Sequence, residues 1–270
     1  MTSDDDGSVP APQLSETKRL LLAELLRRRS AQDGPARPTL VRSGATSGPL
    51  SYSQHQLWLA QELRPADTSY NIPVLIRLAG TLRPTALAQA FAAVVQRHEV
   101  LRSVIVTAES GEPEQRVLEA ARFPLALVDL EPEGGSLEQR RSRAHERAAA
   151  AAGAPFTLAK GCLRAELLRV AQDEHYLVMI LHHVAHDGWS TDLLMRELLV
   201  SYQEACGGPA AGLAPLPAQY LDYARWQRAW IAGADFASHL AAVVQRLLPL
   251  PEPVTVPHII TCLLYTSPSP

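Results

Sequence analysis

Cysteine is scarce in this sequence: Cys162, Cys206 and Cys262 are the three in 270 residues. They form no CxxC pair and no framework, which excludes a disulfide-stapled scaffold and suits a reducing compartment. An excess of basic charge is missing too. The net charge is −3 and the isoelectric point lies near 6.3, so nothing electrostatic favours nucleic acid or an anionic membrane as partner. No apolar run reaches the roughly 18 residues of a membrane span. The opening MTSDDDGS is acidic where a signal peptide would be basic. There is no glycine-rich phosphate loop, no GxSxG elbow and no nicotinamide fingerprint. These absences predict a soluble, cytoplasmic protein that carries no cofactor of its own. At 270 residues with 47% apolar content, the chain can bury the core of one large or two small domains.

What is there gathers around one stretch, residues 174–206. An apolar run from Tyr176 to Leu181 has the length of a buried strand. His182 and His183 follow, then Val184, Ala185, His186, and the break Asp187-Gly188. Ser190 or Thr191 is placed to cap a helix whose apolar positions recur at Leu194, Leu198 and Tyr202. Strand, polar turn and helix N-terminus together make a favourable place for chemistry. The strand fixes the imidazoles, and the helix aims free N–H groups and partial positive charge at its neighbour.

Along the chain, Leu14–Arg29 reads as a helix with a leucine stripe and a basic last turn, and 31–49 as a Gly/Pro/Ser linker. Residues 51–63 form a short amphipathic helix with Leu57 and Trp58 as core anchors. Strands are expected at 71–80, 101–106, 115–119, 125–130 and 163–170, the last pairing with 176–181 through a turn at 172–174. Helices are expected from Pro84 to about His98 and at 137–152, 218–231 and 236–248. Strands interleaved with helices predict an α/β (α+β) sandwich with a mixed sheet and flanking helices.

Four motifs occur in order: Ser51-Tyr52-Ser53-Gln54-His55-Gln56-Leu57-Trp58, then Arg97-His98-Glu99-Val100-Leu101-Arg102 (RHExLR), then His182–Ser190 (HHxxxDGxS), then Tyr220–Arg228 (YxDYAxWxR). Together they resemble the condensation domains of nonribosomal peptide synthetases, within the chloramphenicol acetyltransferase-like superfamily. Gln56 stands where that family usually has arginine. The resemblance implies residues 1–48 as a docking-type helix and linker, and residues 49–257 as the N-terminal lobe of a two-lobed domain. Residues 258–270 continue no pattern and resemble translated adapter sequence, a non-native tail.

The family joins two acyl groups held as phosphopantetheine thioesters on upstream and downstream peptidyl carrier proteins, beside other synthetase domains. The cofactor arm therefore belongs to the partners, and neither nucleic acid nor membrane is expected to bind. By resemblance, His183 is the catalytic imidazole; Gly188, which permits close backbone approach at the helix start, is the expected oxyanion N–H donor. His182, facing the other side of the strand, has an orienting role. Asp187 forms a structural ion pair, with Arg102 as its candidate partner. Trp189 is expected to pack and Cys162 to be buried. His182, His183, His186 and Asp187 together invite a metal reading, but adjacent histidines on a strand point apart and no further ligands complete a site. Two alternatives remain open: an acyl-CoA-dependent acyltransferase of the same superfamily, and a non-catalytic interaction module. No substrate-binding residue is assigned.

Overall fold

The computed structural model describes residues 39–120, 123–210 and 212–249. The expected helix Leu14–Arg29 and the tail 258–270 lie outside the described residues. The described residues up to Trp230 form one compact unit, and those from Ile231 to Pro249 fall in another.

In the first unit the apolar run becomes strand β7, Glu174–His182, and all nine of its residues are buried. Its partners are β2 (Asn71–Ala79) and β6 (Leu163–Ala171), both antiparallel. Strand β5 (Ala126–Asp129) adds to β6 in parallel, giving the order β2-β7-β6-β5. Helices cover both faces. On one, Leu177, Met179 and Leu181 pack with Leu87, Phe91 and Val94 of α2 (Pro84–Arg97) and with Leu194 and Leu198 of α4 (Gly188–Ala205). On the other, Tyr176, Val178 and Ile180 meet Ala144 and Ala148 of α3 (Leu137–Ala152), with Leu57 and Trp58 of α1 (Tyr52–Leu63) at the margin. Burial on both faces explains why this strand reads as a continuous apolar run. Each fully buried aliphatic side chain contributes roughly 1.5–3 kcal/mol, so β7 is the best-anchored segment of the fold. The expected mixed sheet with flanking helices is what forms.

Two elements depart from the sequence reading. Ser47–Pro49, expected as linker, is strand β1 and pairs with β4 (Pro113–Val117), which also pairs with β3 (Ser103–Thr107). A short edge strand tolerates glycine and proline because one side needs no ladder hydrogen bonds. Glu99–Arg102, half of it expected as strand, is a 3-10 turn. The Ser103 hydroxyl closes that turn by donating to the Glu99 carbonyl at 2.8 Å. The β-branched run that follows then starts the strand at Ser103. Helix α5 spans Tyr220–Ile231. In the second unit, α6 (Ala234–Leu247) has no buried residue and leaves Leu240, Val244 and Leu247 exposed.

Glu174, at the hairpin entering β7, is buried. It accepts from Arg141 at 2.7 and 2.9 Å and from Arg77 at 2.8 Å. These charge-assisted bonds, Arg141's first, hold its carboxyl down at about 2. Because the folded value lies below the unfolded one, the stabilisation is complete above about 4.5 and is lost as pH falls toward about 2. Glu174→Gln is expected to lower the melting temperature at neutral pH. Melts taken along an acid series should show wild type and variant converging as pH approaches 2; a constant gap would contradict this account.

Candidate active site

His182 is the last residue of β7 and is fully buried. Its ring lies edge-on to Phe156 at 5.7 Å and near Tyr70 at 6.1 Å. Nδ1 accepts the Val184 N–H at 3.1 Å, so the ring proton sits on Nε2 and is donated to Gln61 Oε1 at 3.3 Å. Burial pushes its pKa down to about 4, with His183 adding to the shift. His182 is thus a neutral structural donor at physiological pH.

The next residue turns the other way. His183 is exposed, and its backbone N–H donates to Tyr70 O at 2.9 Å. Its imidazole makes no hydrogen bond among the described residues. The turn then runs through buried Val184 and His186, whose Nε2 lies 2.8 Å from Thr191 Oγ1. Asp187 ends the turn as the N-cap of α4, accepting the Ser190 N–H at 2.9 Å and hydroxyl at 2.6 Å. Those two bonds, the hydroxyl first, hold the Asp187 carboxyl below its usual range. Such a cap is worth about 1 kcal/mol to the helix.

Gly188 is the first residue of α4, where an N–H has no partner within the helix. A Cβ placed there would meet nothing within 4 Å, and its φ lies outside the left-handed region. Neither backbone strain nor internal packing therefore calls for glycine here. What the missing side chain preserves is open approach to the backbone at the helix N-terminus, beside the turn that carries His183.

Helix α1 holds this turn from behind, with polar rather than apolar residues. Its buried residues are Gln54 and Gln61. Gln54 Nε2 donates to Val184 O at 3.4 Å, while its Oε1 accepts from Ser51 N at 3.0 Å and from Gln115 Nε2 at 3.2 Å. Gln61 accepts from His182 and donates to Pro65 O at 3.2 Å. Helix α5 in turn clips the start of α1: Tyr220 and Ser51 hydroxyls meet at 3.2 Å, and Arg228 donates to Leu50 O at 2.8 Å. Residues from the first, third and fourth sequence motifs therefore form one connected assembly.

A family model described as the condensation domain matches residues 45–241. The chain belongs to the condensation-domain family. The isonitrile lipopeptide synthase of Mycobacterium tuberculosis is 39% identical over 227 residues, covering 82% of this chain and 9% of that protein. Phosphinothricin tripeptide synthetase PhsC of Streptomyces viridochromogenes is 35% identical over 247 residues, covering 90% of this chain and 22% of its own length. The starter condensation domain of rhizomide synthetase RzmA shares the fold, with a TM-score of 0.67 at 22% identity over 77% of this chain and 50% of that one. The chain thus spans a small fraction of the synthetases it matches and about half of the solved condensation domain.

In this condensation-domain chain the expected Arg102–Asp187 ion pair does not form. Asp187 is occupied by Ser190, and Arg102 donates to Leu118 O and to Gln96 O, with Glu99 at 3.7 Å. Ser190 and Thr191 do not cap α4, because Asp187 begins it earlier. Trp189 does not pack: it is 91% exposed. Cys162 is buried, which raises its thiol to about 12. Among the described residues no group of three or more His, Cys, Asp or Glu side chains is placed to hold a metal ion. Nor is any helix among them long and apolar enough to cross a membrane.

Sequence reasoning missed Gln54, Gln61 and Glu197. The glutamines stand seven residues apart on one face of α1, a spacing visible in the sequence but overshadowed by Leu57 and Trp58. Glu197 is buried on α4 and accepts from His98 Nε2 at 2.6 Å and Arg97 Nε at 3.0 Å. It thereby joins the RHExLR segment to the helix that starts at Gly188, and nothing local marks it.

His182 also sets a pH dependence. Its folded value is below its unfolded one, so its contribution, on the order of 3 kcal/mol, is present above about 6.5 and lost as pH falls toward about 4. Between those limits the wild-type melting temperature should fall. His182→Gln should melt lower at neutral pH and show a shallower slope across the same interval. Equal slopes would assign the effect to other buried histidines.

Proposed function

We propose that this chain supplies the histidine-bearing half of a condensation domain that forms an amide bond between two thioester-bound acyl groups. Peptidyl carrier proteins, one upstream and one downstream, would present those groups on phosphopantetheine arms, with other synthetase domains alongside. The observation that carries the reading is the division of labour in the His182-His183 pair. One imidazole is locked neutral in the core, while the other is exposed at a rigid strand end beside an unobstructed helix N-terminus.

In the proposed step the acceptor amine attacks the donor thioester carbonyl. The C–N bond forms, the C–S bond breaks, and the proton lost by nitrogen leaves with the thiolate as a thiol. His183 takes the amine proton and returns it to sulfur. The Gly188 N–H, backed by the α4 dipole, faces the oxyanion of the tetrahedral intermediate. His182 and Asp187 act as positioning residues: the first fixes the strand end, and the second sets where α4 begins. Arg102 is no partner of Asp187 in this reading. The catalytic lobe begins at strand β1 rather than at residue 49, since Ser47–Pro49 pairs within the sheet; the docking segment and linker precede it, and residues 258–270 are a non-native tail.

Two substitutions test the assignment in a complete condensation domain built on this chain, by single-turnover transfer between loaded carrier proteins. His183→Ala should slow amide formation by about 10²–10⁴-fold with an unchanged melting temperature, since its side chain is exposed. Gly188→Ala should leave stability equal or higher, by up to about 1 kcal/mol from helix propensity, yet slow the reaction by about 10²–10³-fold. Near-wild-type rates in folded variants would remove these residues from the mechanism.

A second comparison sets the present chain against the complete domain in the same assay. Without the remaining half the two thioesters lack a shared channel, and the loss of positioning is worth up to about 7–11 kcal/mol of barrier lowering. The shorter chain should give no detectable product; equal rates would sink the reading that it is half of a catalytic unit.

A further inference from the structure

The RHExLR segment does not reach Asp187, and its charged residues stand somewhere else. Arg97, Glu99 and Arg102 line a recess of about 280 Å³ together with Arg42 and Gln219. Three guanidiniums here face one lining carboxylate. Glu99 lies 3.9 Å from Arg42 and 3.7 Å from Arg102, both beyond hydrogen-bond distance. Pairs elsewhere in the chain close to 2.6 Å (Arg147–Glu166) and 2.8 Å (Arg77–Glu174). The neighbouring carboxylates are already engaged. Glu197 is shared by Arg97 and His98, and Asp222 accepts from Ser43 and the Gln219 N–H.

Two of the guanidiniums are also anchored. Arg97 donates to Ala214 O at 2.7 Å, and Arg102 to the Leu118 and Gln96 carbonyls. Neutral carbonyls satisfy the Arg102 N–H groups without cancelling its charge, so Arg102 is a fixed positive post, whereas Arg97 is also paired with Glu197 at 3.0 Å. Arg102 Nε is buried without any acceptor. Arg42, half exposed, lines the recess with its guanidinium 3.9 Å from Glu99.

We propose that this recess is an anion site that takes a phosphate group, either as inorganic phosphate or as a phosphate monoester. A tetrahedral dianion offers three oxygens to guanidiniums that line one recess from different segments, whereas a single carboxylate offers two in one plane. The proposal does not depend on the amide-forming reading, and its test needs no turnover.

The experiment is calorimetric titration of the full 270-residue chain in phosphate-free buffer, with inorganic phosphate, methyl phosphate and, as control, acetate at matched ionic strength. Saturable binding at one site is expected for at least one of the phosphates and not for acetate. Tighter binding of methyl phosphate identifies a monoester as the source, and tighter or equal binding of inorganic phosphate the free ion. Arg42→Ala should weaken binding by about tenfold and Arg42→Glu should abolish it, both at wild-type melting temperature because this side chain is half exposed. The proposal is overturned if neither phosphate saturates, if acetate binds as tightly, or if both Arg42 variants bind like wild type.

Discussion

Strand β7 is buried on both faces, and the geometry of the site follows from that constraint. A strand enclosed by two cores cannot slip by one residue, because the shift would exchange every side chain between the cores. Its last residue, His182, is therefore held on the side of Tyr176, Val178 and Ile180. The chain leaves the sheet immediately afterwards, so His183 emerges into solvent from a foundation of Leu177, Met179 and Leu181 packed under α2 and α4. Two chemically identical side chains acquire opposite characters from one backbone step: one is neutral and inaccessible, the other exposed and without a partner among the described residues.

The turn beyond the strand is stabilised by polar groups. Buried glutamines are costly unless their amides are hydrogen-bonded. Gln54 and Gln61 meet that condition by bonding to Val184 O and His182, which forces α1 into one register against the turn. Glu197 does the same on the opposite side, drawing His98 and Arg97 against α4. Breaking such a network strands a buried polar atom, so its geometry is more sharply defined than apolar packing alone would make it. The RHExLR segment contributes here through its first two residues, and Arg97 also lines the recess onto which Glu99 and Arg102 look.

Asp187 has a plainer role than an ion pair. Capping by its side chain decides that α4 starts at Gly188 rather than at a later serine or threonine. That choice places an unpartnered N–H and the positive end of the helix next to His183, where a side chain on residue 188 would obstruct approach from solvent. The exposure of Trp189 has the same origin: with the helix begun one turn early, this residue falls on its outer face.

Much of this was written locally. The apolar run of β7, the leucine and valine spacing of α2, the hairpin at Gln172-Asp173 and the order of four motifs come from short-range patterning, and short-range patterning survives in a linear string. The opposite facing of His182 and His183 follows from strand periodicity alone. The partners of Asp187 and Arg102, the burial of Gln54, Gln61 and Glu197, and the pairing of β1 were decided only in three dimensions. Most depend on which groups from distant segments meet; Asp187 instead finds a nearer donor, Ser190 three residues on, than the arginine expected. Propensity and periodicity describe what a residue prefers beside its neighbours in sequence. The tertiary structure alone settles which of several competing hydrogen-bond partners lies within 3 Å of it.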